Sequence, residues 1–335
     1  MKRPVIVADD AIPYLRERLE PLCELRLRPG GAISRADLID ADALLTRTRT
    51  HCDRALLEGT SVKLVATATI GTDHIDIPAL EALGIEVRNA PGCNAPAVAQ
   101  YVWSALLRLG FDPATQTLGV VGKGHVGSIV ADWGRRLGAR VIVSDPPRAE
   151  EGMTDEDYLP LRQLMSEADA VTFHTPLTHD GTHPTFHLAD EEALGCLKPG
   201  AIVVNAARGG VVDEAGLLQV MQDRGVLAAI DTWEGEPHLN PYLLQQATFA
   251  TPHIAGYSSE GKQRATRMAL ESLRDVLGIA PSTEGLCGPY EPPTSLTEAS
   301  IISSYDPAAD TTLLRASRGD FELLRKKYPL RPEVQ

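Results

Sequence analysis

The stretch Leu118 to Ser128, L-G-V-V-G-K-G-H-V-G-S, constrains the fold more than any other. A short apolar run leads into Gly122, Gly124 and Gly127, and a helix-compatible segment follows. After the next apolar run, Val141 to Ser144, stands Asp145. Strand, tight turn and helix in this order aim helix N-terminal N–H groups at a point where a pyrophosphate can accept them. Gly122 permits the turn, Gly124 lets backbone approach a phosphate, and Gly127 lets the helix pack on the strand. Lys123, His125 and Val126 fill the turn, and Lys123 is long enough to reach the pyrophosphate. Asp145 is placed to bond the adenosine ribose hydroxyls and to repel a 2′-phosphate, which favours NAD over NADP. Arg148 is the nearby residue that could accommodate such a phosphate.

The rest of the chain reads as α/β around this unit. Apolar runs at Val5–Ala8, Leu22–Leu27, Ala43–Thr46, Val62–Ala68 and Ile85–Arg88 alternate with helical patterns, which predicts a parallel sheet. Asn94 caps a long helix that runs through Leu109 and leads into the Gly-rich unit. From Gln116 a second series begins, with strands at Leu118–Val121, Arg140–Ser144, Ala170–His174, Ala201–Asn205, Val226–Ile230 and Thr248–Ala250. Helix Ser259–Leu277 closes it. The expected architecture is two doubly wound parallel-sheet domains. One is a flavodoxin-like substrate domain (1–93 plus 257–280), and the other is a Rossmann NAD domain (94–256). Prolines at 281, 289, 292 and 293 mark a linker, so 281–335 reads as a short C-terminal extension. It is too short for a core of its own and is expected to pack on this chain or on a partner subunit.

Charge and cysteines exclude other classes. The formal charge is −13 and no Lys/Arg cluster stands out, which opposes a nucleic-acid partner. The five scattered cysteines include no C-x-x-C, so a reduced compartment is expected. No run approaches the length of a membrane span, and the chain is read as cytoplasmic. No His spacing fits a metal motif. His179, His183 and His187 recur at four-residue steps, but Gly181 and Pro184 make that stretch a loop.

Ligands of doubly wound sheets bind beyond the carboxyl ends of the strands. The polar residues there are Asp145, Thr175, Asn205 to Arg208, Asp231 and His253. Arg208 can clamp a carboxylate in two places and polarise an adjacent carbonyl. His253, in T-P-H-I-A-G, can move a proton if a carboxylate fixes its ring. Glu236, in D-T-W-E-G-E-P, can be that partner, and Glu234 is the alternative. Arg47 and Arg49 flank Thr48 after the strand Ala43–Thr46. They would point to one side if the strand persists, where either could neutralise an anionic group of a ligand.

Together the Gly-rich unit, N-A-A-R-G-G, D-T-W-E-G-E-P and T-P-H-I-A-G-Y resemble the D-isomer-specific 2-hydroxyacid dehydrogenases. T-A-T-I-G-T-D-H-I-D (67–76), A-P-G-C-N-A (90–95), S-D-P-P-R (144–148), F-H-T-P-L (173–177), H-L-A-D (187–190) and Tyr257 resemble the branch that acts on 4-phospho-D-erythronate. G-D-F-E-L-L-R-K-K-Y (319–328) resembles part of its C-terminal region. The resemblance implies NAD-dependent oxidation of that phosphorylated 2-hydroxy acid at C2, giving (R)-3-hydroxy-2-oxo-4-phosphooxybutanoate for pyridoxal 5'-phosphate synthesis. It implies Arg208, Glu236 and His253 as the catalytic set. It implies cofactor contacts at Asp145, Thr175, Ala206, Ala207, Arg208, Asp231 and Gly256, beside those of the Gly-rich turn, and substrate contacts at Thr48, Thr69 and Tyr257. It also implies a homodimer through a C-terminal domain, here shortened; the substrate is expected to lie in a cleft between the two domains. Two other readings stand beside it. One is a D-2-hydroxyacid dehydrogenase with another substrate, such as phosphoglycerate or glyoxylate; the other is a non-catalytic NAD-sensing protein.

Overall fold

Every strand pairing among the described residues is parallel, as short apolar runs joined by helical crossovers require. The computed structural model describes residues 3–334 and divides into two units. The first holds residues up to Asn94 together with Ser258–Glu291, and the second holds Ala95–Tyr257 together with the chain from Pro292 onward.

The first unit contains strands β1 (Val5–Asp9), β2 (Glu24–Arg28), β3 (Ala43–Thr46), β4 (Leu64–Thr67) and β5 (Glu86–Arg88). Their order, β2-β1-β3-β4-β5, is the flavodoxin-like one. One apolar layer packs under helix Ser259–Leu277, through Ala265, Ala269, Leu270 and Leu273. The other face carries Val5, Val7, Leu44, Val65 and Leu80. Strand β3 ends at Thr46 and a turn follows. The alternation that would set Arg47 and Arg49 on one side is therefore absent; Arg47 instead reaches back toward the Ala11 carbonyl, at 3.5 Å.

The second unit contains β6 (Thr117–Val121), β7 (Arg140–Ser144), β8 (Ala170–Phe173), β9 (Ile202–Asn205), β10 (Leu227–Ile230) and β11 (Phe249–Ala250), in the order β11-β10-β9-β8-β6-β7. Tyr158 forms a lone parallel bridge to Val143 outside β7. With it the sheet has the Rossmann order, its third strand reduced to one residue. The strand order reverses between β6 and β8, and the Gly-rich turn leaves β6 at that switch point. Helix Ala95–Arg108 lies buried along one face, and its Trp103 donates its indole N–H to the Val130 carbonyl at 3.0 Å.

The extension expected at 281–335 divides between the two units. Residues through Glu291 cluster with the first unit and the rest with the second. The segment holds helices Glu298–Ser304, Pro307–Ala316 and Phe321–Lys326, with Ile301, Leu314 and Phe321 buried in the second unit's two cores. Turn-like dipeptides conceal two helices from sequence pattern alone. Asn240-Pro241 and Asp306-Pro307 are each an N-cap followed by proline in the first turn, where the missing N–H costs nothing.

Candidate active site

The residues of interest in the second unit stand at the carboxyl ends of its strands. Gly122 has φ +86°, and a Cβ there would lie 2.9 Å from Thr175 Cγ2. A Cβ on Gly127 would lie 2.0 Å from the Gly122 carbonyl oxygen, so the helix can sit against the turn only because that side chain is missing. Gly124 differs: a Cβ there would meet no protein atom within 4 Å. Its bareness serves nothing inside the protein, which is what an approaching phosphate would require. His125 begins the helix, with Val126 after it. The Thr175 hydroxyl, at the end of β8 beside this turn, is buried without a hydrogen-bond partner. An orphan of this kind costs free energy unless a ligand completes it. The residues present therefore fit a dinucleotide.

Asp145 follows β7. One carboxylate oxygen accepts the Lys123 N–H at 2.7 Å and the other caps the next helix by accepting the Arg148 N–H. The Lys123 ammonium does not turn to the phosphate position. It is bound by Asp155 at 2.7 Å and Glu156 at 2.6 Å, and little of the side chain is exposed. Burial alone would lower its pKa, but these two carboxylates hold it above the ordinary lysine value. Arg148 is likewise engaged, with Tyr158 at 3.1 Å and Asp155 at 3.3 Å.

Beyond β9, the Asn205 side chain shapes the turn that bears Arg208. It accepts from the Ala207 N–H and donates to the Arg208 carbonyl. Ala206 and Ala207 line this turn, and Arg208 Nη1 donates to the Ala207 carbonyl at 2.8 Å. Gly209 is pressed on the next loop: a Cβ would fall 1.9 Å from the Trp233 carbonyl oxygen.

The loops after β10 and β11 meet in a proton-transfer pair. His253 Nδ1 lies 2.9 Å from Glu236 Oε2 and 3.2 Å from Oε1. That bond leaves Nε2 as the outward nitrogen. Glu236 Oε1 also accepts the Trp233 N–H at 2.9 Å. Burial pushes the Glu236 pKa up. The His253 bond and charge, the Trp233 N–H and the positive Arg325 outweigh it, so the carboxyl sits below its ordinary value. His253 is held at φ +54°, a left-handed conformation that non-glycine residues seldom adopt. Asp231 secures it. Its buried carboxylate accepts from the Thr251 hydroxyl and the Ile254 and Ala255 N–H groups, and its carbonyl accepts the His253 N–H. Gly256 and Tyr257 complete this loop, half-buried.

Glu234 is not the partner of His253. It pairs with His187, at 3.0 Å, whose ring stacks on Phe186. His179, His183 and His187 lie outside any helix, in the stretch between β8 and helix Glu191–Gly195. Sequence pattern did not point to Glu214, which accepts the Glu234 N–H at 2.8 Å. Burial, with the charges of Glu234 and Glu236 adding, pushes its pKa up to about 7. Its position in V-V-D-E-A, at the start of a helix, looks like ordinary N-terminal acid placement. In the first unit, Thr48 is exposed on the turn after β3. The Thr69 hydroxyl bonds Thr67 Oγ1 at 2.6 Å and the Gly71 carbonyl at 3.0 Å.

Known proteins bear on this geometry. Residues 80–255 match the model of the D-isomer specific 2-hydroxyacid dehydrogenase, NAD binding domain. An erythronate-4-phosphate dehydrogenase of Bacteroides fragilis is 43% identical over 340 residues, covering 98% of this chain and 97% of that one. The chain belongs to the erythronate-4-phosphate dehydrogenase family, among the D-isomer-specific 2-hydroxyacid dehydrogenases. A Citrobacter koseri member is also 43% identical, over 98% of this chain and 92% of its own. Among solved structures, a glyoxylate reductase from Paecilomyes thermophila superposes with a TM-score of 0.67 at 25% identity, covering 82% of this chain and 95% of that one. The protein is an NAD-dependent dehydrogenase, and NAD is its cofactor.

Proposed function

We propose that the enzyme oxidises 4-phospho-D-erythronate at C2, giving (R)-3-hydroxy-2-oxo-4-phosphooxybutanoate for pyridoxal 5'-phosphate synthesis. The observation that carries the chemistry is the His253–Glu236 pair on the ligand edge of the NAD-binding sheet. The substrate's identity is supported by the relatives' names.

NAD supplies the hydride acceptor. Gly122, Gly124, His125, Val126 and Gly127 present the helix N-terminus to its pyrophosphate, Asp145 takes the ribose hydroxyls, and Thr175 gains a partner for its orphaned hydroxyl. Ala206, Ala207, Arg208, Gly256 and the loop anchored by Asp231 surround the rest. Arg208 clamps the substrate carboxylate and polarises the oxygen on C2. His253 Nε2 accepts the C2 hydroxyl proton, and Glu236 stabilises the imidazolium that forms. Thr48, Thr69 and Tyr257 are the substrate contacts carried over by resemblance. The reading places the enzyme in the cytoplasm as a homodimer. Leu313, Leu323 and Leu330, exposed on the C-terminal segment, are its candidate contact face, and a monomer in sedimentation would exclude it. No helix among the described residues is long and apolar enough to cross a membrane.

The test is NADH formation from 4-phospho-D-erythronate beside D-3-phosphoglycerate, glycolate (the reduced partner of glyoxylate) and D-erythronate, with His253→Asn as the control. The phosphorylated four-carbon acid should give the highest kcat/KM, and the variant should lose about 10²–10⁴-fold in kcat with NAD affinity retained. Preference for another acid would replace the substrate; NAD binding with no turnover of any acid would favour a sensing protein.

A further inference from the structure

The C-terminal segment carries a cation, Arg325, whose charge bears on the Glu236 carboxylate. Phe321 is buried in the same core as Trp233 and Leu243, and Leu324 packs on that core. Farther on, Tyr328 sets its ring edge-on to Tyr257, with centroids 5.9 Å apart. The helix Phe321–Lys326 is thus fastened to the core that also holds Trp233, whose N–H holds Glu236, and the chain is fastened again at Tyr257. Arg325 lies between these anchors. Its charge acts on both the Tyr257 hydroxyl and the Glu236 carboxylate. Nη1 donates to Glu322 at 2.9 Å, a carboxylate that is half exposed, and Nε is buried with no hydrogen-bond partner. Burying a guanidinium with an unused N–H is costly, and an anion that accepts from the fork recovers that cost.

We propose that Arg325 binds the phosphoryl group of the substrate and thereby sets the preference for phosphorylated over plain 2-hydroxy acids. This rests on the reading of the substrate as a phosphorylated 2-hydroxy acid. In that reading Arg208 serves the carboxylate end and His253 the C2 hydroxyl, so the dianion at the far end still needs a donor. The turn after β3 no longer offers Arg47 and Arg49 on a common face. Arg325 supplies the missing charge from the segment whose Tyr328 packs on Tyr257, and the Tyr257 hydroxyl is a second donor for the same group.

The experiment compares wild type, Arg325→Met and Arg325→Lys on 4-phospho-D-erythronate and D-erythronate, with inorganic phosphate as a competitor. Arg325→Met should raise KM for the phosphorylated acid by about 10- to 100-fold, the size of a lost charge-assisted hydrogen bond, with a smaller change in kcat. D-Erythronate turnover should fall far less than that of the phosphorylated acid, since only the weak influence on Glu236 is lost there, and phosphate should cease to compete. Arg325→Lys keeps the charge without the fork and should fall between, which gives a reading even if the Met variant folds poorly. Equal loss on both acids, carried by kcat and a shifted acid limb, would show Arg325 acting through Glu236 and would overturn the proposal. A preference for the phosphorylated acid that survives Arg325→Met would also overturn it, leaving the substrate reading intact. A wild type with no such preference would overturn both.

Discussion

At the level of single residues, Asp145 holds two backbone groups at once, the N–H of Lys123 and that of Arg148. Asp145 is legible because an acid after the second strand of a Gly-rich unit has a known physical use. Its second use is not legible: it also caps the helix Pro146–Glu150 and accepts the Lys123 N–H. Lys123 shows the limit from the other side. Length and charge let it reach a phosphate, but Asp155 and Glu156, distant in sequence, bind it instead. Arg148 is similarly taken up by Tyr158 and Asp155, which removes the group that could welcome a 2′-phosphate. Asp145→Asn is therefore the informative substitution: its amide oxygen can keep the helix cap, while the charge and the acceptor for the Lys123 N–H are lost. The NADP-to-NAD ratio of kcat/KM should rise by about tenfold. An unchanged ratio would take the ribose role from Asp145.

Among the elements, strands and long helices follow from apolar periodicity, whereas loop-to-loop pairing does not. D-T-W-E-G-E-P holds two glutamates, and spacing alone cannot say which one meets His253. The fold decides it by turning Glu236 back onto its own Trp233 N–H and sending Glu234 to His187. Glu214, the first residue of helix Glu214–Arg224, supports this loop through the Glu234 N–H. A helix N-terminus ordinarily favours a charged acid. Here burial and two neighbouring carboxylates prevail, and the group titrates at about 7. The folded state thus binds a proton that the unfolded chain has already released between its ordinary value of 4.5 and about 7. Glu214 consequently favours folding fully below that window, and the benefit is lost as pH rises through it. Glu236 has the opposite sign, its contribution being present above the ordinary carboxylate range and lost on acidification below it. Glu214→Gln keeps the acceptor and discards the titration. Its stability should fall less than that of wild type between about pH 5 and about pH 8, with an advantage on the order of 1 kcal/mol at the upper end. Parallel pH profiles in urea unfolding would refute this.

For the whole chain, the least legible part is the C-terminal segment, whose prolines and short helices look like a linker and tail. Its role emerges only from contacts with elements far back in sequence. Strand β11 is two residues long and lies at the edge of its sheet. The Thr311 hydroxyl accepts the Ala250 N–H at 2.9 Å, so helix Pro307–Ala316 closes an edge that would otherwise be open. Ser104 donates to the Tyr305 carbonyl, and Arg108 to that of Ile302, which fixes helix Glu298–Ser304 on helix Ala95–Arg108. Arg331 ties these parts together. It is buried, stands 4.4 Å from the Tyr305 ring centroid, and donates to the carbonyls of Ala97 and Ile254 at 3.1 Å each and to that of Ala255. Two of these carbonyls directly follow His253 in the chain. Arg331→Met would take a donor from each of these buried carbonyls, although that of Ile254 keeps the Tyr257 N–H, at a cost of about 1–3 kcal/mol. Lysine should rescue little, because one ammonium cannot reproduce a fork that reaches three acceptors. Since the loop carrying His253 loses an anchor, kcat should fall in the folded fraction while NAD affinity changes less. Unfolding free energies from urea titration within about 0.5 kcal/mol of wild type for both variants would show that the segment only covers the sheet and does not brace the catalytic loop.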